Sequence, residues 1–150
     1  MTNILVINGV NLNMLGIRET NIYGNQTYLD LYNYIKAYAY QEKLDITIKQ
    51  SNYEGEIVEY IQKAYQKYDG IIINAGAYSH TSIAILDALK SVNIPTIEVH
   101  LTNIKERESY RHHSYIEEYA LKTISGFSFE GYIMAIKEMI KYLNENNSSK

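Results

Sequence analysis

The run Ile4-Leu5-Val6-Ile7-Asn8-Gly9 stays apolar for four residues and then stops at Asn-Gly. A strand with one wet face alternates apolar and polar residues, so a short unbroken apolar run suits a strand buried on both faces, the usual state in a parallel sheet. Gly70-Ile71-Ile72-Ile73-Asn74-Ala75 repeats the pattern and is again closed by an asparagine. Three more segments fit strands: Ile46 and Ile48 alternating with polar residues, Ile94 to Val99, and Lys122 to Phe127. Between the runs, apolar residues recur at helical spacing, in Tyr28, Leu31, Tyr32, Ile35 and Tyr38, in Ile57 to Tyr68, in Ile83, Leu86 and Leu89, and in Tyr132, Ile133, Ile136, Ile140 and Leu143. Thr27-Tyr28-Leu29-Asp30 has the form of a capping box and places the start of the first of these helices. Parallel neighbours need crossovers of a dozen or more residues, nearly always right-handed. Five strands alternating with helices therefore predict an α/β chain with a flavodoxin-like, doubly wound five-stranded parallel sheet, covered on both faces as a three-layer sandwich.

At 150 residues the chain is sized for one domain, taken as 1–150 with about 145–150 as a frayed polar tail. A formal net charge of -3 with 21% charged residues offers no basic patch for a nucleic acid. No apolar run is long enough to span a bilayer, and the amino terminus has no basic segment followed by an apolar stretch, so a cytoplasmic location is expected. Without cysteine, disulfides and thiolate chemistry drop out together. The 16 Tyr, against no Trp and two Phe, fall largely at helical spacing and read as packing on half-buried faces.

Two connections are longer and more polar than a simple link requires: Gly9 to Gln26 after the first strand, and Leu101 to Tyr115 after the fourth. Long loops in compact α/β units often close over active sites. In an open parallel sheet, ligands sit beyond the carboxyl ends of the strands, where the strand order reverses. Those ends are polar here, at Asn8 to Asn13, Ser51-Asn52, Asn74 to His80 and His100 to Asn103.

The chemistry open to these residues is limited. Glu98, His100, His112 and His113 do not fall at any spacing typical of metal ligands, and no metal is expected. The first strand-to-helix turn contains Gly9 and Gly16 but neither G-x-G-x-x-G nor G-x-x-x-x-G-K-[ST], which argues against nucleotide or flavin binding. A phosphoacceptor domain of this fold class would carry acids where Asn8 and Asn74 stand. What remains is amides, an imidazole, tyrosines and arginines, equipment for gripping a small polyhydroxylated carboxylate and moving protons.

Asn8 to Gly24, Gln50-Ser-Asn-Tyr-Glu-Gly55, Asn74 to Ser82, Glu98-Val-His-Leu-Thr-Asn-Ile104 and Arg107 to Arg111 resemble, in the same order, successive blocks of the type II 3-dehydroquinate dehydratase family. The resemblance spans almost the whole chain. It implies loss of water from 3-dehydroquinate to give 3-dehydroshikimate, by anti elimination through an enolate, as the third step of the shikimate pathway toward chorismate and the aromatic amino acids. No cofactor, metal or Schiff base is implied, so side chains must carry every proton. By resemblance Tyr23 is the base, which requires the phenolate of a side chain whose ordinary pKa is about 10. Arg18 and Arg107 are the cations able to favour that charge, with Arg18 expected to contribute most. His100 matches the general acid, with Glu98 two residues back orienting or charging the imidazole. Asn11 matches the residue that holds the enolate oxyanion or its water. Asn74, His80 and Arg111 match contacts to substrate hydroxyls, and Leu101-Thr102 supplies backbone N–H groups and a hydroxyl to the carboxylate. Asp87 in the family reaches a neighbouring subunit, which implies a homo-oligomer of trimers packed into a dodecamer.

Three positions depart from the family pattern: Val10 where proline is usual, Thr102 where serine is common, and Ser128 where glycine is more frequent. None removes a catalytic group. The alternative, a flavodoxin-like small-ligand-binding module without catalysis, predicts replacement of Tyr23, Arg18 or His100, and all three are present.

Overall fold

Strands β1 (Asn3–Asn8), β2 (Asp45–Gln50), β3 (Gly70–Asn74), β4 (Thr96–His100) and β5 (Lys122–Ser125) form one sheet in the order β2-β1-β3-β4-β5. Every neighbouring pair is parallel. The computed structural model describes residues 2–148. Four helices cover the sheet: α2 (Tyr28–Glu42), α3 (Glu54–Lys63), α4 (Ile83–Val92) and α5 (Glu130–Ser148). A single-turn helix, α1 (Thr20–Tyr23), lies in the loop after β1.

The apolar run that opened the sequence reading is buried on both faces. Ile4 and Val6 pack with Leu31, Ile35, Tyr132 and Ile136 of α2 and α5, while Leu5 and Ile7 pack with Ile57, Ile61, Ile85 and Leu89 of α3 and α4. Because side chains alternate across a strand, one continuous apolar run feeds two cores and fixes the sheet as the middle of three layers. Each fully buried Ile or Leu contributes about 1.5–3 kcal/mol relative to an exposed one. The predicted capping box is present: Thr27 Oγ1 accepts from the Asp30 N–H at 3.1 Å, and the Asp30 carboxylate accepts from the Thr27 N–H at 2.9 Å.

Three boundaries differ from the sequence reading. α3 stops at Lys63 rather than continuing to Tyr68, and the chain turns through Gln66 in the left-handed region. β5 ends at Ser125, because Gly126 takes a φ of 88° that turns the chain away from the sheet. α5 runs to Ser148, so 145–148, read as part of a frayed tail, are helical; adding turns to an established helix costs little compared with starting one. Residues 149 and 150 lie outside the described residues.

The strand order reverses between β1 and β3, whose ends are held together by the Gly9 N–H donating to the Asn74 carbonyl at 2.7 Å. A Cβ on Gly9 would run into the Ala75 backbone, so the chain can leave the sheet here only as glycine. Gly76 serves the opposite side of the same gap: its φ is +62°, and a Cβ there would stand 2.6 Å from the Val10 carbonyl oxygen. The root of the first loop, at Val10, is thereby packed directly on the turn after β3.

Candidate active site

The crevice beyond β1, β3 and β4 encloses about 460 Å³ of non-atom space, its open mouth included. Asn11, Arg18 and Tyr23 reach it from the first loop, Asn74 and His80 from the end of β3 and the turn after it, His100, Leu101 and Thr102 from the end of β4, and Arg107 and Arg111 from the second loop. Ten residues singled out from the sequence thus face one cleft. Two do not. Glu98 lies fully buried behind His100, and Asp87 is exposed on α4, away from the cleft.

Tyr23 sits between two guanidiniums. Arg107 Nη1 donates to its phenolic oxygen at 2.6 Å, and the Arg107 carbon Cζ is 5.4 Å from the ring centroid. Arg18 Cζ is closer to the centroid, at 4.8 Å, but its Nη1 pairs with Glu19 at 2.9 Å. Arg18 therefore acts on the ring face and Arg107 on the oxygen, so the larger direct contact comes from the residue given the supporting part in the sequence reading. Arg107 is steadied from behind, where a ring nitrogen of His112 contacts its carbonyl at 2.8 Å. The phenol therefore meets one guanidinium at its oxygen and a second over its ring.

His100 Nε2 lies 2.7 Å from Glu98 Oε2. Glu98 is satisfied on both oxygens: Ser114 Oγ donates to Oε2 at 2.5 Å and Thr123 Oγ1 to Oε1 at 3.0 Å. Burial works against its charge, but the hydrogen bonds and charge of His100, with Ser114 and Thr123, outweigh burial and hold the carboxyl below its ordinary pKa. The buried carboxylate orients the imidazole so that Nδ1 is the nitrogen left for other partners. His80 stacks against His100, with ring centroids 6.2 Å apart and planes 16° from parallel. Its Nδ1 lies 2.8 Å from the His113 carbonyl, which fixes the Nδ1–H tautomer of a neutral ring and turns Nε2 into an acceptor. Burial, more than the nearby charges of His100 and Arg111, pushes the His80 pKa down.

Asn11 takes the left-handed conformation, with φ 69°. Its N–H donates to Asn52 Oδ1 at 2.9 Å, and Gln50 Nε2 donates to the same Asn52 oxygen and to the Gly9 carbonyl, each at 3.2 Å. The end of β2 therefore holds the root of the first loop in place, and the Asn11 side-chain amide makes no hydrogen bond within the described residues. Among the described residues, no group of three or more His, Cys, Asp or Glu side chains is arranged to hold a metal ion.

Residues 2–140 match the family model described as Dehydroquinase class II. The chain belongs to the class II dehydroquinases. It is therefore a hydro-lyase, and relatives agree over almost their whole length. The 3-dehydroquinate dehydratase of Clostridium acetobutylicum is 51% identical over 142 residues, covering 95% of this chain and 99% of the relative. That of Fusobacterium nucleatum is 54% identical over 145 residues, with the same coverage of 95% and 99%. The crystal structure of the type II dehydroquinase from Butyrivibrio crossotus superposes with a TM-score of 0.90 at 51% identity, covering 92% of this chain and 97% of the other.

Several parts of this dehydroquinase site escaped the sequence reading. Ser114 and Thr123, which saturate Glu98, come from a loop and from β5, with no spacing that links them to it. His112, weighed from the sequence as a metal ligand, braces Arg107 instead. Gln50 and Asn52 stood in a resembling block without a role; their place at a polar strand end was the available signal.

Proposed function

We propose that the enzyme dehydrates 3-dehydroquinate to 3-dehydroshikimate by anti elimination through an enolate, as the third step of the shikimate pathway. The observation that carries this reading is the pairing of a phenol held between two guanidiniums with an imidazole on a buried carboxylate, across one cleft. The Tyr23 phenolate takes the proton alpha to the ketone, and the electron pair moves onto the carbonyl oxygen. The Asn11 amide, unengaged within the chain, donates to that oxyanion directly or through water. When the enolate collapses, the hydroxyl on the opposite face leaves as water with a proton from the His100 imidazolium, and Glu98 stabilises that cation until it discharges. The product is a conjugated enone; Tyr23 then gives the proton it took to solvent and His100 takes one up, which restores phenolate and imidazolium with no net change in protons.

Asn74, His80 and Arg111 bind the ring hydroxyls, and Leu101 and Thr102 bind the carboxylate. What supports the His80 assignment is its neutral tautomer, which offers Nε2 to a hydroxyl proton. Asp87 has no part in its own cleft, and its exposed place on α4 suits a reach into a neighbouring subunit of a trimer within a dodecamer. Purified chain mixed with 3-dehydroquinate should develop the ultraviolet absorbance of the enone. Substrate deuterated on the face opposite the departing hydroxyl should lose its label to solvent; retention of that label with loss from the other face would contradict the anti course.

A further inference from the structure

Tyr132 is fully buried on α5, yet its hydroxyl makes two hydrogen bonds. It donates to Asn8 Oδ1 at 2.6 Å and accepts from Asn74 Nδ2 at 3.0 Å. Asn8 and Asn74 are register partners at the carboxyl ends of β1 and β3, the pair between which the strand order reverses. The chain of contacts continues at both ends. The Gly76 N–H donates to Asn74 Oδ1 at 3.1 Å, and Asn8 Nδ2 donates to the Tyr28 hydroxyl at 3.4 Å.

This network has a direction. A tyrosine hydroxyl owns one proton, and with that proton given to Asn8 it can meet Asn74 only as an acceptor. Burial raises the Tyr132 pKa far above the tyrosine range, with the Asn74 contact offsetting it only in part, so the proton stays in place. Asn74 must then turn its NH2 toward Tyr132 and its carbonyl toward Gly76. A flip of the amide would set oxygen against oxygen and N–H against N–H beside a fully buried hydroxyl, where neither mismatch is cheap.

We propose that Tyr132 is a positioning residue for substrate recognition: it fixes the orientation of the Asn74 amide, and with it which donor and which lone pair Asn74 presents to a substrate hydroxyl in the cleft. The inference rests on the reading of Asn74 as a substrate contact. A residue that only packs would lose nothing specific as phenylalanine. Here the hydroxyl carries the information, and it comes from a helix with no polar atom of Tyr132 in the cleft itself.

The test is a cycle of Tyr132→Phe, Asn74→Ala and the double variant, assayed with 3-dehydroquinate below their unfolding temperatures. Tyr132→Phe should raise KM about tenfold while kcat stays within about threefold, the pattern of lost ground-state binding. In the Asn74→Ala background the same change should have almost no further effect, because the amide it orients is gone. Asn8→Ala leaves the Tyr132 ring packed but frees its proton to turn, and it should show the same dependence on Asn74; it carries the test if Tyr132→Phe does not fold. Effects of Tyr132→Phe and Asn74→Ala that multiply in the double variant would overturn the inference alone. A wild-type KM in Asn74→Ala would overturn it by removing Asn74 from substrate binding.

Discussion

Arg107 Nη1 donates to the Tyr23 phenolic oxygen at 2.6 Å, although the two residues are 84 positions apart. The cation on the oxygen thus arrives from the second loop, and the nearer arginine in sequence, Arg18, lies on the ring face. Both loops must therefore be folded over the cleft for the phenol to meet both guanidiniums.

Arg107→Met should lower kcat by roughly 10- to 150-fold, the equivalent of a charge-assisted hydrogen bond at about 1.5–3 kcal/mol. Arg18→Met should lower it as well, and the double variant should lose less than the product of the two, since both act on one ring. Steady-state kinetics on the three variants checks this. An unchanged kcat in Arg107→Met would detach Arg107 from the base.

The sequence made the fold legible because each signal was local. Apolar runs ending in Asn8 and Asn74 marked buried parallel strands, and Thr27 with Asp30 marked a helix start. The cleft residues were legible for a related reason: they stand at strand ends and in two overlong loops. Their mutual contacts were not. Which arginine meets the Tyr23 oxygen depends on how two loops fold over each other, and the partners of Glu98 depend on where β5 and the segment at Ser114 pack, neither of which a linear spacing encodes.

Glu98 makes stability depend on acid. Its folded pKa is depressed below the ordinary 4.5, so the stability it contributes is complete above that value and is lost as pH falls through the lower folded value. Glu98→Gln should be less stable than the native chain at neutral pH, because the amide sets N–H against His100 or Ser114. It should also lose less stability on acidification from about pH 5 downward. Urea unfolding across that range measures both; parallel curves for the two proteins would contradict the buried carboxylate.

His80 should remain neutral at neutral pH. Its folded pKa lies below the ordinary 6.5, so the unfolded chain takes up the proton first, and stability falls as pH drops below that value until the folded ring is protonated too. An NMR titration of the His80 ring should show a midpoint below 6.5; a midpoint above it would remove the neutral acceptor from the cleft.

Ser128 stands at φ 53°, in the left-handed region that favours glycine, and its N–H donates to the Leu101 carbonyl at 3.0 Å. Ser128→Gly should stabilise the chain by about 0.5–1 kcal/mol, because relief of left-handed strain at about 1–2 kcal/mol exceeds the added backbone entropy of the unfolded state. Denaturant midpoints at constant m decide it, and a fall in stability would show that the serine is not strained.

Tyr23 is the group proposed to remove the proton alpha to the ketone. Tyr23→Phe keeps the ring between the two guanidiniums and deletes only the oxygen that Arg107 contacts. Followed by enone absorbance and by calorimetric titration with 3-dehydroquinate, the variant should bind substrate within about tenfold of the native affinity and show no turnover. Retention of more than about a few per cent of native kcat by the folded variant would mean that another group takes the proton.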